Sequence, residues 1–349
     1  MAQDLRDLLE AKRSCSRRFL RPHAYGAAAG TQALSPRPDQ NAVGVGVGEK
    51  VVDGLPTGIL CVRIYVRAKF PSRQLLRRER LPKTTYGLPV DVIETSTFRS
   101  LVTSVVPQPG TAPPPLTVTN LTMPNPRTRF RPSRPGCSVS FAPAGSQPTA
   151  GTYGALVQDA DGFYILSNNH ILANKNRLPI NSDIFQPGVL DDPNSTGNRI
   201  GSLSNFEPLV VGAPNRVDCA VARIPAGQAL NEILHIGAPR SKGNATVGMN
   251  VHKFGRSTSY RVGQVEDIDA DVTLNYGMGA LRFDDQIVIS GLNGKAFAQR
   301  GDSGALVLER ETQTVGLLFG SGVNSSGQIF AVANHINDVL NALGVTLVL

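Results

Sequence analysis

The chain of 349 residues has no tryptophan, and aromatic residues make up only 6% of it. Cysteine is almost as scarce. Cys15, Cys61, Cys137 and Cys219 stand singly with no C-x-x-C pair, which excludes a zinc ribbon and a dense disulfide framework and leaves free thiols as the expectation. No run approaches the roughly 18 consecutive apolar residues a membrane-spanning helix needs. The opening MAQDLRDLLEAKRSCSRRFL mixes both charge signs and has no apolar stretch of signal-peptide length, so no membrane partner and a cytoplasmic location are expected. There are 5 histidines and no grouping with metal-ligand spacing, and neither a metal nor another cofactor is expected.

What is present is a hydrophobic fraction of 41%, enough for a real core, in a chain long enough for two domains or for one large domain with an appendage. The net charge of +8 is unevenly spread: residues 1–135 carry 21 Lys or Arg against 9 Asp or Glu, and residues 136–349 carry 14 against 18. The basic part has few aromatics for base stacking and neither zinc-finger nor basic-zipper spacing. It reads as a solvated basic surface, open to a protein partner or to self-association, rather than as a nucleic-acid interface.

Along the chain, residues 3 to 20 have Leu5, Leu8, Leu9 and Lys12 at helical spacing, and a Gly, Ala and Pro loop follows to residue 40. Valine- and isoleucine-rich runs at Ala42–Val47, Ile59–Val66 and Val90–Glu94, with PSRQLLRRERLPK as a helical turn, make residues 41–104 a small α+β domain. Residues 105–135 are too rich in proline for a helix or an interior strand and read as an extended linker. From Gly136 onward short apolar runs recur between turn residues: Gly154–Gln158, Phe163–Ser167, Asp218–Ile224, Val262–Ile268, Gln286–Ser290, Ala305–Glu309, Val315–Gly320 and Gln328–Val332. Many short strands with turn signals argue for a mainly β architecture, a barrel or a sandwich, over residues 136–349. Ile336, Val339, Leu340 and Leu343 predict a closing helix. The acidic run EDIDAD at Glu266–Asp271 lacks an EF-hand pattern and reads as a solvated turn.

One stretch asks for chemistry. AQRGDSGALVL sets Ser303 in a glycine-rich turn, and acyl transfer by a serine needs an imidazole to take its proton, a carboxylate to fix that imidazole, and amide donors for the oxyanion. His170 ends a β-run in GFYILSNNHILA, a position both fixed and accessible. Asp218 opens the strand-like RVDCAVARI, where a carboxylate leading into apolar residues calls for a partner.

YILSNNHILA, DCAVARI and QRGDSGALV, in this order and spacing, resemble the trypsin-like or chymotrypsin-type serine proteases, particularly bacterial members without disulfides. The resemblance runs from Gly136 to Leu349. It implies two antiparallel six-stranded β-barrels with the active site between them, His170 and Asp218 on the first and Ser303 on the second, and a C-terminal helix. It implies a serine endopeptidase acting on polypeptides, with Ser303 as nucleophile, His170 as base and then acid, Asp218 as the orienting carboxylate, and the backbone N–H groups of Gly301 and Ser303 as the oxyanion hole. Asp302 is structural in that scheme and must find a partner inside the chain. Asn168-Asn169-His170-Ile171 replaces the Ala-Ala-His-Cys of many secreted relatives, and Gln299 stands where they have cysteine; both departures fit a reducing compartment. Phe297, six residues before the serine, argues against a pocket for basic side chains; Phe297 and Ala298 facing Phe319, Gly320 and Ser321 outline an uncharged pocket, and Gln299 and Arg300 are further expected substrate-binding residues. The alternative is a protease-fold binding or scaffold protein with a latent triad. VGVGVGEKVVDGLPTGILCVRIYVRAKFP followed by YGLPVDVIE also resembles the leader domain of bacterial trypsin-like proteins related to the plant narrow-leaf type.

Overall fold

The computed structural model describes residues 2–20, 38, 41–52, 55–101, 123–142, 148–193, 197–324 and 326–349. Most of the loop expected up to residue 40 and the expected linker up to residue 122 lie outside the described residues. Among the described residues no helix is long and apolar enough to cross a membrane.

From Gly136 the chain builds two β-barrels. The first contains β6 (Ser138–Phe141), β7 (Gly151–Thr152), β8 (Ala155–Gln158), β9 (Phe163–Ser167), β10 (Asp183–Phe185), β11 (Arg199–Phe206) and β13 (Ala220–Ile224), with the one-turn helix α2 (Asn169–Leu172) after β9. Hydrogen bonding runs β8-β9-β13-β11-β10-β6-β7. Because β7 and β8 are two ends of one bent run, the first paired with β6 and the second with β9, the ring closes and leaves no free edge. Short apolar strands such as FYILS and AVARI suit this setting, since a small barrel fills its interior with side chains from every strand.

The second barrel is a closed ring of β15 (Asn250–Gly255), β16 (Ser259–Asn275), β17 (Ala280–Gly291), β20 (Ile329–His335), β19 (Gln313–Val323) and β18 (Leu306–Glu309), all antiparallel. The two-residue strands β12 (Pro214–Asn215) and β14 (Ser241–Lys242) pair in parallel with β17 and β19. The expected closing helix is α3 (Ile336–Leu343), with Ile336, Val339, Leu340 and Leu343 buried and Gly344 at φ +68° ending it. After it β21 (Thr346–Leu347) returns to pair with β8 of the first barrel.

Among the described residues, the N-terminal helix and strands up to residue 101 add to the second barrel. Helix α1 (Ala2–Phe19) buries Leu8, Ala11 and Cys15 against Val45 and Val47 of β1 (Ala42–Val52) and Val62 and Ile64 of β2 (Leu55–Val66). β1 pairs with β16, β2 with β1, β4 (Leu88–Glu94) in parallel with β2, and β3 (Thr84–Thr85) with β4, so these strands prolong the barrel's sheet. The stretch between β2 and β3 has two short 3₁₀ turns, Ser72–Gln74 and Arg77–Glu79. Alternating glycines let β1 lie close on β16: a Cβ at Gly46 would sit 1.8 Å from Asp267 Oδ2.

This contact corrects the reading of EDIDAD as a solvated turn. The run lies inside β16, and Asp267 and Asp271 are buried beneath the N-terminal region while Asp269 between them is half-buried. Asp267 accepts bonds from the Val47 N–H at 2.9 Å and the Tyr65 hydroxyl at 2.9 Å. Asp271 faces buried Lys12 and Ser16 of α1, each at 2.5 Å. Glu266 meets Arg63 at 3.1 Å. Part of the charge asymmetry between the two parts of the chain is therefore neutralised within the molecule.

Candidate active site

The end of β9 delivers His170. Asn168, in extended conformation, caps α2, and His170 sits in its single turn at 1% exposure. Asp218, fully buried, lies just ahead of β13, the strand hydrogen-bonded to β9, so neighbouring strand ends bring the two side chains together. His170 Nδ1 contacts Asp218 Oδ2, and the His170 main-chain N–H donates to Asp218 Oδ1 at 3.2 Å. A carboxylate at Nδ1 places the ring proton there and leaves Nε2 as the acceptor. Nε2 is buried and has no hydrogen-bond partner among the described residues.

Asp218 is itself secured from both barrels, its main chain by two asparagines and its carboxylate by a tyrosine. Asn168 Nδ2 donates to the Asp218 carbonyl at 2.7 Å, and the Asp218 N–H donates to Asn334 Oδ1 at 3.0 Å. Asn334 Nδ2 in turn donates to Gln286 Oε1 at 2.6 Å on the second barrel. Tyr276, in the tight turn between β16 and β17, donates its hydroxyl to Asp218 Oδ2 and sets its ring edge-on to His170 with centroids 5.7 Å apart. Burial, together with the Asp218 charge, pushes the Tyr276 hydroxyl well above its ordinary pKa, so it stays a donor. Sequence reasoning did not find Tyr276, Asn334 or Gln286, because each reaches the site from a turn or strand far along the chain.

Ser303 precedes β18 in the turn Gly301–Gly304, whose glycines have φ of +99° and +92°. Both are conformationally required, and a Cβ at Gly304 would lie 2.2 Å from the Thr152 carbonyl. Thr152 of the first barrel grips this turn: its N–H donates to the Ser303 carbonyl at 2.7 Å and its hydroxyl to the Gly301 carbonyl at 3.0 Å. The Thr152 carbonyl accepts from Ser167 Oγ at 2.8 Å, three residues before His170, and so ties the serine turn to the histidine strand. Ser303 is fully buried, and its Oγ rests 3.5 Å from the Phe319 carbonyl.

Asp302 has its internal partner. Lys253 Nζ lies 3.1 Å from Oδ2, both side chains at 0% exposure. The Ser257 and Thr258 N–H groups donate to Oδ1 at 2.8 and 3.1 Å, and the Thr258 hydroxyl and the Gln299 N–H donate to Oδ2 at 2.7 and 3.0 Å. Burial opposes ionisation of this carboxyl, yet the Lys253 charge and these donors outweigh it and hold the pKa below the ordinary carboxylate value.

The cleft beside Ser303 is filled by the chain itself. β5 (Phe98–Ser100) runs antiparallel to β19, with Ser100 opposite Gly320 and Arg99 opposite Ser321, and parallel to the end of β16. Leu101 continues the ladder: its N–H donates to the Phe319 carbonyl at 3.1 Å and its carbonyl accepts from the Gly301 N–H at 2.7 Å. Of the residues read as substrate-binding, Phe297 and Ala298 are buried in one apolar cluster with Leu101. Gly320 and Ser321 supply the backbone opposite β5, and Gln299 and Arg300 border the same cleft. Phe319 contributes its carbonyl, while its ring packs away from Leu101 onto Phe283 with centroids 4.8 Å apart.

Residues 187–345 match the model of peptidase family S64, a span that includes Asp218 and Ser303. The matched segment takes in the later strands of the first barrel and the whole second barrel. No curated protein sequence matches the chain. The domain is similar to solved structures of bacterial and related peptidases at low identity. They include a glutamic acid specific serine protease described as using a novel histidine triad in substrate binding (21% identity, TM-score 0.44, covering 62% of this chain and 100% of that one). Two others are the chymotrypsin of Cellulomonas bogoriensis (18%, TM-score 0.43, 61% and 97% covered) and protease A of Thermobifida fusca (17%, TM-score 0.44, 62% and 99% covered).

Proposed function

We propose that this peptidase is an endopeptidase that cuts polypeptides through an acyl-enzyme on Ser303, with His170 as general base and then acid and Asp218 as its orienting carboxylate. The observation that carries the reading is the His170 ring, held through Nδ1 by a buried carboxylate with Nε2 unpartnered among the described residues, on a strand that Ser167 and Thr152 tie to the glycine-shaped serine turn. In the resting arrangement Ser303 Oγ leans on the Phe319 carbonyl, and attack begins when it turns to His170 Nε2; such contacts tighten as the substrate is engaged. Nε2 takes the hydroxyl proton, the oxyanion forms against the Gly301 and Ser303 N–H groups, and His170 returns the proton to the leaving amine. Asp218 and Tyr276 stabilise the imidazolium while it lasts. The Lys253–Asp302 pair holds the turn without any newly made N-terminus.

Because Leu101 occupies the Gly301 amide, the test uses the full chain and a Leu101→Asp variant that withdraws this segment. A fluorophosphonate is expected to modify Ser303 in the Leu101→Asp chain and to leave its Ser303→Ala counterpart untouched, as read by peptide mass mapping. No adduct, or the same adduct in both, overturns the reading.

A further inference from the structure

We infer that Phe98–Leu101 lies in the cleft as the acyl-side half of a substrate, so that the site selects leucine at the residue whose carbonyl is attacked and cuts the chain's own bond after Leu101. This rests on Ser303 being the nucleophile.

Three observations converge on Leu101. Its register is fixed by main-chain pairing: Arg99 and Ser100 lie opposite Ser321 and Gly320, and the Leu101 N–H is bonded to the Phe319 carbonyl at 3.1 Å. Strand addition of this kind places one particular carbonyl at the end of the ladder and leaves selectivity to side chains. That carbonyl is Leu101's, and it accepts from the Gly301 N–H at 2.7 Å, the amide the mechanism needs for a developing oxyanion. The Leu101 side chain is 1% exposed in an apolar cluster with Phe297, Ala298, Ala305, Val251 and Ile289. An arginine or aspartate there would lose its hydration without a partner.

The neighbouring positions show which other residues of a peptide count. Phe98 is fully buried and set edge-on to Tyr65 with centroids 5.9 Å apart, whereas Arg99 is exposed. An extended peptide is thus anchored at two apolar residues, Leu101 and the one three places before it, and is little constrained between them.

The reaction at Leu101 balances with water as co-reactant. Ser303 Oγ bonds to the Leu101 carbonyl carbon as its proton passes to His170 Nε2. The C–N bond to residue 102 then breaks, and that proton goes to the departing amine. Water next cleaves the ester, giving the Leu101 carboxylate and restoring the Ser303 hydroxyl.

The full chain is expressed as wild type, Ser303→Ala, Leu101→Met and Leu101→Asp, and its products are sequenced from their N-termini and weighed intact. A species starting at residue 102 is expected in the wild type and Leu101→Met and in neither other variant. In parallel, the Leu101→Asp chain, with its own segment withdrawn from the cleft, is expected to cleave an aminocoumarin amide of acetyl-Phe-Arg-Ser-Leu with kcat/KM at least roughly 100-fold above the same peptide ending in Arg or Asp. If Ser303 still takes fluorophosphonate in Leu101→Asp and either arm fails, the leucine assignment is overturned and the nucleophile stands. If Ser303 takes no probe, both fall.

Discussion

The two barrels are built alike and loaded differently. Among the described strands the first takes on only the short β21, and it carries His170 and Asp218 on adjoining strand ends. The second carries the serine turn and takes all of the paired N-terminal strands, β1 against one side of β16 and β5 between β16 and β19. His170 and Asp218 are thus positioned by local strand pairing, whereas the surroundings of Ser303 depend on chain from the far end of the sequence. Each barrel also solves the problem of buried charge in its own way. In the first, the Asp218 carboxylate is met by an imidazole and a tyrosine; in the second, Asp302 and Asp271 are met by the lysines Lys253 and Lys12.

Removing the inner of those lysine pairs should separate the barrels most sharply. Asp302→Ala leaves Lys253 buried without its counter-charge and is expected to cost about 3 to 5 kcal/mol in urea unfolding. It should also abolish peptide hydrolysis, because the Gly301 turn loses its anchor. A loss below about 1 kcal/mol would mean that Lys253 is readily rehydrated. Lys12→Met acts on the outer pair, and Ser16 and Arg282 remain near Asp271, the latter at 3.4 Å, so a smaller loss of about 2 to 3 kcal/mol is expected. Hydrogen exchange should quicken in β1 and β2 and stay unchanged in β9 and β13; equal quickening in all four would contradict the division described above.

Acid–base linkage offers a third test. Burial raises the Asp267 carboxyl from 3.8 to about 7, against the bonds it accepts and the charge of Arg63. Between these values the folded chain holds a proton that the unfolded chain has released, so stability contributed by this group falls as pH rises from about 4 to 7 and is level above. Asp267→Asn keeps an acceptor for the Val47 amide and should remove that slope, gaining about 2 kcal/mol at pH 8 and little at pH 4. Melting curves at the two pH values check it, and parallel losses in both proteins would exclude Asp267 as the source. The smallest effect is expected at Tyr276→Phe, which deletes one charged hydrogen bond to Asp218. A loss of about 1.4 kcal/mol, or tenfold in kcat with KM little changed, should appear in initial rates.

Much of this could be read from residues alone, where neighbours in sequence decide the outcome. FYILS, AVARI and the α3 spacing carry their own periodicity, and the histidine, aspartate and serine segments each fall at a strand end. What escaped was set by distant partners. EDIDAD looked solvated because six residues of that composition cannot bury themselves; Lys12, Arg63 and Tyr65, some two hundred residues away, make it possible. Phe98–Leu101 was invisible for the same reason: it has no pattern of its own and becomes a strand only because β16 and β19 present facing edges. Strands β10 and β15 also went unseen, their apolar residues being too few to stand out from the turns around them.

The four thiols give this divided architecture a natural clock. All are buried, and burial raises Cys61 and Cys137 to about 12. Native thiols so shielded react with alkylating reagents only through opening of the structure around them. Cys15 and Cys61 time the release of the N-terminal layer, Cys137 and Cys219 time the opening of the first barrel, and the second barrel carries none. The order in which the four acquire label under mild denaturant would therefore show, without a single substitution, which part of the molecule lets go first.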